Sequence, residues 1–161
     1  MKKLIALTIA LFVLAAGNVF AQTADVAVTA NVEGSLSVTQ QNDVEFGNVL
    51  AGNTHTISPT SNAANLGSVL ISGQADTEVF IDTEPTVTLE GTGDDIIATL
   101  SYFGNTIDDG PNASVLGASA TLDDTTGDFY VFVGAEIVLP NTQANGTYTG
   151  STTIEVSYTS F

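Results

Sequence analysis

Thr153-Ile154-Glu155-Val156-Ser157-Tyr158 alternates apolar and polar side chains with a period of two. Successive side chains of a strand point to opposite faces, so Ile154, Val156 and Tyr158 share one face while Thr153, Glu155 and Ser157 share the other. The same reading extends back along the chain. Val69 with Ile71, Val79 with Ile81, and Val87 with Leu89 repeat the alternation, and Ile97 to Tyr102 reads as a further strand. Leu36 and Val38 follow Gly34, and Ala135, Ile137 and Leu139 line one face of a late strand. Phe129-Tyr130-Val131-Phe132-Val133 is apolar at every position, which predicts either a central strand covered on both sides or a strand with one face used for assembly.

Turn signals separate these segments: Gly52-Asn53, Gly91-Thr92-Gly93-Asp94-Asp95, Asp109-Gly110-Pro111-Asn112, Gly127-Asp128, and Pro140 to Gly146. Thr and Val are abundant, which suits strands and weakens helices. Short strands punctuated in this way predict an all-β, antiparallel, immunoglobulin-like β-sandwich. Tyr148, two residues after Gly146, fits the tyrosine corner of such sandwiches, whose hydroxyl bonds back to upstream backbone.

The first 21 residues read as a secretory signal peptide. Lys2 and Lys3 give a basic start, Leu4 to Ala16 an apolar run, and Val19-Phe20-Ala21 small residues at the two positions that a signal peptidase reads, Val19 and Ala21. The expected cut lies between Ala21 and Gln22, leaving residues 22–161 as a single domain. The apolar run is shorter than the roughly 20 residues of a spanning helix. The expectation is a secreted or cell-surface protein whose exported part does not insert in a membrane.

That cut would transform the charge balance. Lys2 and Lys3 are the only Lys or Arg among 161 residues, against 18 Asp and Glu. The exported part would hold all 18 acids, with His55 as its sole basic side chain. Such a chain has nothing with which to neutralise phosphates, so a nucleic-acid partner is excluded. The chain has no Cys, so its core must hold without disulfides.

Few residues suggest site chemistry. His55 stands in Asn53-Thr54-His55-Thr56, a polar loop or strand edge, with no G-x-S-x-G nucleophile elbow elsewhere. One His and no Cys do not make a structural zinc site. Eighteen acids leave a two-carboxylate glycosidase open, but the chain has no Trp to form a sugar platform. The expectation is no enzyme. Asp123, Asp124 and Asp128, together with Asp108 and Asp109, are hard oxygen ligands, and extracellular modules bind calcium at roughly 0.1–1 mM. They read either as solvated turn residues or as calcium ligands, with no other cofactor expected. Val26, Val28, Ala30 and Val32 alternate in a segment that serves either as the first strand of its own sandwich or as an assembly strand inserted into a neighbour.

Three stretches carry a family resemblance. They are Leu36-Ser37-Val38-Thr39 with Val44-Glu45-Phe46-Gly47-Asn48-Val49-Leu50-Ala51-Gly52; Ser72-Gly73-Gln74-Ala75-Asp76-Thr77-Glu78-Val79-Phe80-Ile81; and Tyr130 to Ala135 with Gly146-Thr147-Tyr148-Thr149-Gly150 leading into Thr153 to Tyr158. Together they resemble the exported bacterial proteins grouped as domain of unknown function 4402, themselves similar to the spore-coat-U and minor-pilin sandwiches of chaperone–usher systems. The resemblance implies a pilin-like β-sandwich at the cell surface and carries no catalytic residue. The functional expectation is a structural surface protein, an appendage or matrix subunit that self-associates or joins other surface proteins by strand pairing and apolar packing. The alternative is a monomeric adhesin-like module using acidic loops for calcium or carbohydrate.

A chain this anionic repels itself when compact. Added salt or millimolar divalent cation is therefore expected to raise the thermal midpoint of the exported chain. An unchanged midpoint between low and high salt would contradict this.

Overall fold

In the computed structural model, residues 34–60 and 65–159 are described. The expected signal peptide, its cut between Ala21 and Gln22, and the segment from Val26 to Val32 lie outside the described residues. Ten strands follow in order: β1 (Ser37–Asn42), β2 (Thr54–Ile57), β3 (Gly67–Ser72), β4 (Glu78–Thr83), β5 (Thr86–Leu89), β6 (Ile96–Asn105), β7 (Ser114–Val115), β8 (Ser119–Thr121), β9 (Asp128–Val138) and β10 (Ile154–Tyr158). A 3-10 turn at Gly110–Asn112 precedes β7. Every strand pair is antiparallel.

The larger sheet runs β1-β3-β9-β6-β5, and the smaller runs β10-β4-β8. β9 organises the larger one. Residues Tyr130 to Ile137 pair with β6 on one side. On the other side β3 pairs with Asp128 to Val133 and β2 with Ala135 to Val138, end to end along the same edge.

The sandwich interior follows from alternation. Phe129, Val131 and Val133 of β9 and Ile71 of β3 meet Val79 and Ile81 of β4, with Leu122 beside them. Ile71, Val79 and Val131 are fully buried, each stabilising the fold by roughly 1.5–3 kcal/mol relative to exposure. Ile154, Val156 and Tyr158 of β10 pack on this cluster half-buried, while Glu155 and Ser157 face solvent. Ile96, Ala98, Ile137 and Leu139 form a second cluster, closed by Phe46, Val49, Val87, Leu89 and Tyr148.

The sequence suggested two separate strands at 129–133 and 135–139. The structure instead makes them one strand of 11 residues. Gly134 does not interrupt it, because the chain after β2 crosses directly over that position. A Cβ on Gly134 would stand 2.4 Å from the Ile57 carbonyl oxygen and 2.5 Å from Pro59 Cδ. The crossing segment explains why β9 is apolar on its second face as well. There Phe132 is buried with Ile57 and Leu66, and Ala113 and Tyr130 pack alongside.

Two short strands, β7 and β8, were not legible in the sequence. At two and three residues they carry no periodicity. Conversely, β6 extends beyond the expected Tyr102, to Asn105.

Replacing Gly134 by Ala is expected to cost about 1–3 kcal/mol, because the facing atoms are backbone and a proline ring that cannot swing aside. A urea unfolding midpoint equal to wild type would contradict this account of the crossing.

Candidate functional site

His55 lies in β2 opposite Ile137, half-buried. Its Nε2 is 3.2 Å from the Leu50 backbone N and 3.0 Å from the Leu50 carbonyl oxygen. A bare Nε2 accepts from the N–H; a protonated Nε2 donates to the carbonyl. Either way, the contact ties the loop at Leu50 to β2.

The aspartates of the 123–128 turn are occupied by their own neighbourhood. Asp123 Oδ1 accepts from the backbone N–H groups of Thr125, at 3.0 Å, and Thr126, at 2.8 Å, and from the Thr126 hydroxyl at 3.1 Å. These bonds favour the charged form and hold the Asp123 carboxyl below its ordinary value, the Thr126 N–H having the largest effect and the Thr125 N–H the next. The Gly127 N–H returns to the Asp123 carbonyl at 3.0 Å. Gly127 sits at φ 72°, and a Cβ there would fall 2.2 Å from the Gly73 carbonyl oxygen, so the turn needs glycine on two grounds. Asp128 Oδ1 accepts from the Ser72 hydroxyl at 2.6 Å, and Asp124 Oδ1 from the Thr125 hydroxyl at 3.0 Å.

Asp109 precedes the 3-10 turn, and its Oδ2 accepts from Asn112 Nδ2 at 2.7 Å. Among the described residues, no three carboxylate or imidazole groups come together where they could share a metal ion. The five candidate calcium ligands Asp108, Asp109, Asp123, Asp124 and Asp128 are therefore not gathered by the fold into such a group.

The same use of neutral donors recurs across the surface. Glu78 accepts from the Ser119 hydroxyl at 2.7 Å, Glu84 from Thr152 at 3.0 Å, and Glu136 from Thr56 at 3.1 Å. Asp43 accepts from Gln40 Nε2.

Tyr148 does what its position predicted. Its hydroxyl donates to the Ala144 carbonyl at 2.9 Å and accepts from Gln143 Nε2 at 2.9 Å. The ring rests against Gly91 and Gly93, where a Cβ would come within 2.4 Å of Tyr148 Cδ1 and 2.7 Å of its hydroxyl, respectively. The Gly-rich stretch read as a turn is thus also a seat for this ring.

Two shallow depressions of about 250 and 290 Å³ share Val115, Leu116 and Gly117 beside β6, β7 and β8. Tyr102 borders the second, and its hydroxyl donates to the Glu84 carbonyl at 2.8 Å. Burial, before any other cause, pushes its phenol upward. No charged side chain lines either depression.

The more extensive surface features are the sheet edges. β1 pairs with β3 alone among the described residues, and all six of its residues, Ser37 to Asn42, are exposed. None is charged. Val38, opposite the fully buried Ile71, remains 44 % exposed. The sequence marked Val38 as a strand residue, but its edge position could not be read without knowing the strand order.

These features define an antiparallel β-sandwich that has, among the described residues, an uncharged edge strand and acidic side chains held by neutral hydrogen-bond donors. The family described as Domain of unknown function (DUF4402) matches residues 14–158, and the chain belongs to it. No curated protein matches the chain at a significant level.

Asp123→Ala is expected to lower the thermal midpoint at neutral pH. The Asp123 carboxyl is depressed in the folded state, so its contribution is present above the ordinary value near 3.8 and lost as pH falls through the folded value. The wild-type and variant midpoints should converge at acid pH. A gap that stays constant down to about pH 2 would contradict the charge-based account.

Proposed function

We propose that the protein is an exported, non-enzymatic structural component of the cell surface. It acts as a subunit or minor component of an appendage or matrix, assembling with copies of itself or other surface proteins by strand pairing and apolar packing. The observation that carries this reading is the exposed, uncharged edge strand Ser37–Asn42 in a sheet whose interior is otherwise well closed. With no strand beyond it among the described residues, this edge presents backbone donors and acceptors to another strand. Large apolar side chains stand exposed on other strands too: Ile97 and Val138 at 57 % and 66 %, and Val115 at 75 %.

The amino-terminal pattern Lys2-Lys3, Leu4 to Ala16 and Val19-Phe20-Ala21 supports export. The resemblance to spore-coat-U and minor-pilin sandwiches points the same way. The reading requires no cofactor.

Cell fractionation with amino-terminal sequencing, followed by sedimentation and negative-stain microscopy, tests it. The expected result is a chain starting at Gln22, found outside the cytoplasm and forming assemblies. A full-length cytoplasmic chain would overturn the export reading. A strictly monomeric exported chain that gains heat resistance with calcium would replace assembly with a calcium-dependent binding module.

A further inference from the structure

We propose that the outer edge of β1 pairs with the same edge of a second copy, antiparallel, about a two-fold axis at Val38. This rests on the strand-pairing reading above and assigns it to one edge.

Proteins guard open edges with charge, proline, bulges or brevity. The other edges show such guards. β10 carries Glu155, β8 has three residues and β7 two, and the four-residue β5 is flanked by Glu84 and Glu90. β2 has four residues. β1 has six residues with no charge and no proline within it; Asp43 follows at its far end and accepts from Gln40 Nε2, which leaves Ser37 to Thr39 without a carboxylate contact of that kind among the described residues. A register shift between Gln40 and Asn42 guards its far end, while Ser37 to Gln40 form an unbroken ladder with Ser72 to Val69.

Charge argues for a second copy as the occupant. The described residues contain acids but no Lys or Arg, so a cationic partner would be drawn to many surfaces in preference to neutral β1. Two like-charged copies repel everywhere except where charge is absent, and β1 supplies a neutral stretch that both copies share. A contact of one patch with itself closes under two-fold symmetry.

Val38 sets the register. It shares a face with Ile71 and Phe129, its successive cross-strand neighbours, yet the apolar row stops at Val38 with that side chain partly in water. Pairing centred on Val38 continues the row through Val38 of the second copy to its Ile71 and Phe129. It sets Ser37 opposite Thr39 and Leu36 opposite Gln40. Directly opposed Cβ atoms in such a ladder lie about 4.5–5.5 Å apart.

The absence of Cys in the chain makes the test direct. Val38→Cys in the exported chain, under mild oxidant, is expected to give a disulfide-linked dimer. It should form at least about tenfold faster than with Val115→Cys, which is more exposed but lies away from this edge, because pairing raises the local thiol concentration. Sedimentation of the unmodified chain should show a dimer that strengthens with salt and is lost in Thr39→Asp, which places like charge on the ladder. Should Val38→Cys misfold, the Thr39→Asp comparison decides alone. Cross-linking no faster than at Val115, or a dimer unaffected by Thr39→Asp, overturns the assignment. Larger assemblies seen by microscopy in that event would leave strand pairing intact and remove only this edge.

Discussion

The fold depends on β9 being buried on both faces. One face meets the smaller sheet through Phe129, Val131 and Val133; the other receives Ile57 and Leu66 against Phe132. β3, β2 and β6 all find their partner in this strand. A strand with apolar side chains on both faces is stable only if both are covered. That requirement explains the chain crossing at Gly134, the turn that brings Ala113 against Phe132, and the absence of a side chain at the crossing itself.

A second constraint comes from charge. The described residues have no Lys or Arg, so carboxylates there cannot be matched by those cations. Hydroxyls, amides and backbone N–H groups serve instead: Ser72 for Asp128, Ser119 for Glu78, Thr56 for Glu136, and the backbone of Thr125 and Thr126 for Asp123. Hydrogen bonds to an ionised acceptor are stronger than neutral ones. The abundance of Ser and Thr thus serves both strand formation and the solvation of surface charge. Not every pairing is favourable: Glu155 stands directly opposite Asp82 across β10 and β4, and like charges in that position repel.

The two constraints together shape what the molecule can do. The acidic surface opposes contact between copies over most of its extent, and the two depressions beside β6, β7 and β8 are shallow and uncharged. An edge with no strand beyond it among the described residues is selective through register and side-chain fit, not through chemistry at a point.

Alternation alone determined the all-β class, the half-buried face of Ile154, Val156 and Tyr158, and the central place of Phe129 to Val133, because side-chain period and residue shape are local properties. Tyr148 was legible for a similar reason, since its hydroxyl partner lies four residues upstream. The aspartates at 123–128 were ambiguous in sequence; only the folded turn shows Asp123 bound to its own backbone. His55 likewise read as a polar residue of a loop or strand edge until its contact with Leu50 was visible. Tertiary structure alone decided that Gly134 lies under a crossing chain, and that β1 stands at an edge while the equally alternating β3 lies inside. Strand order depends on long-range pairing, and nothing in a strand's own residues encodes which neighbours it will meet.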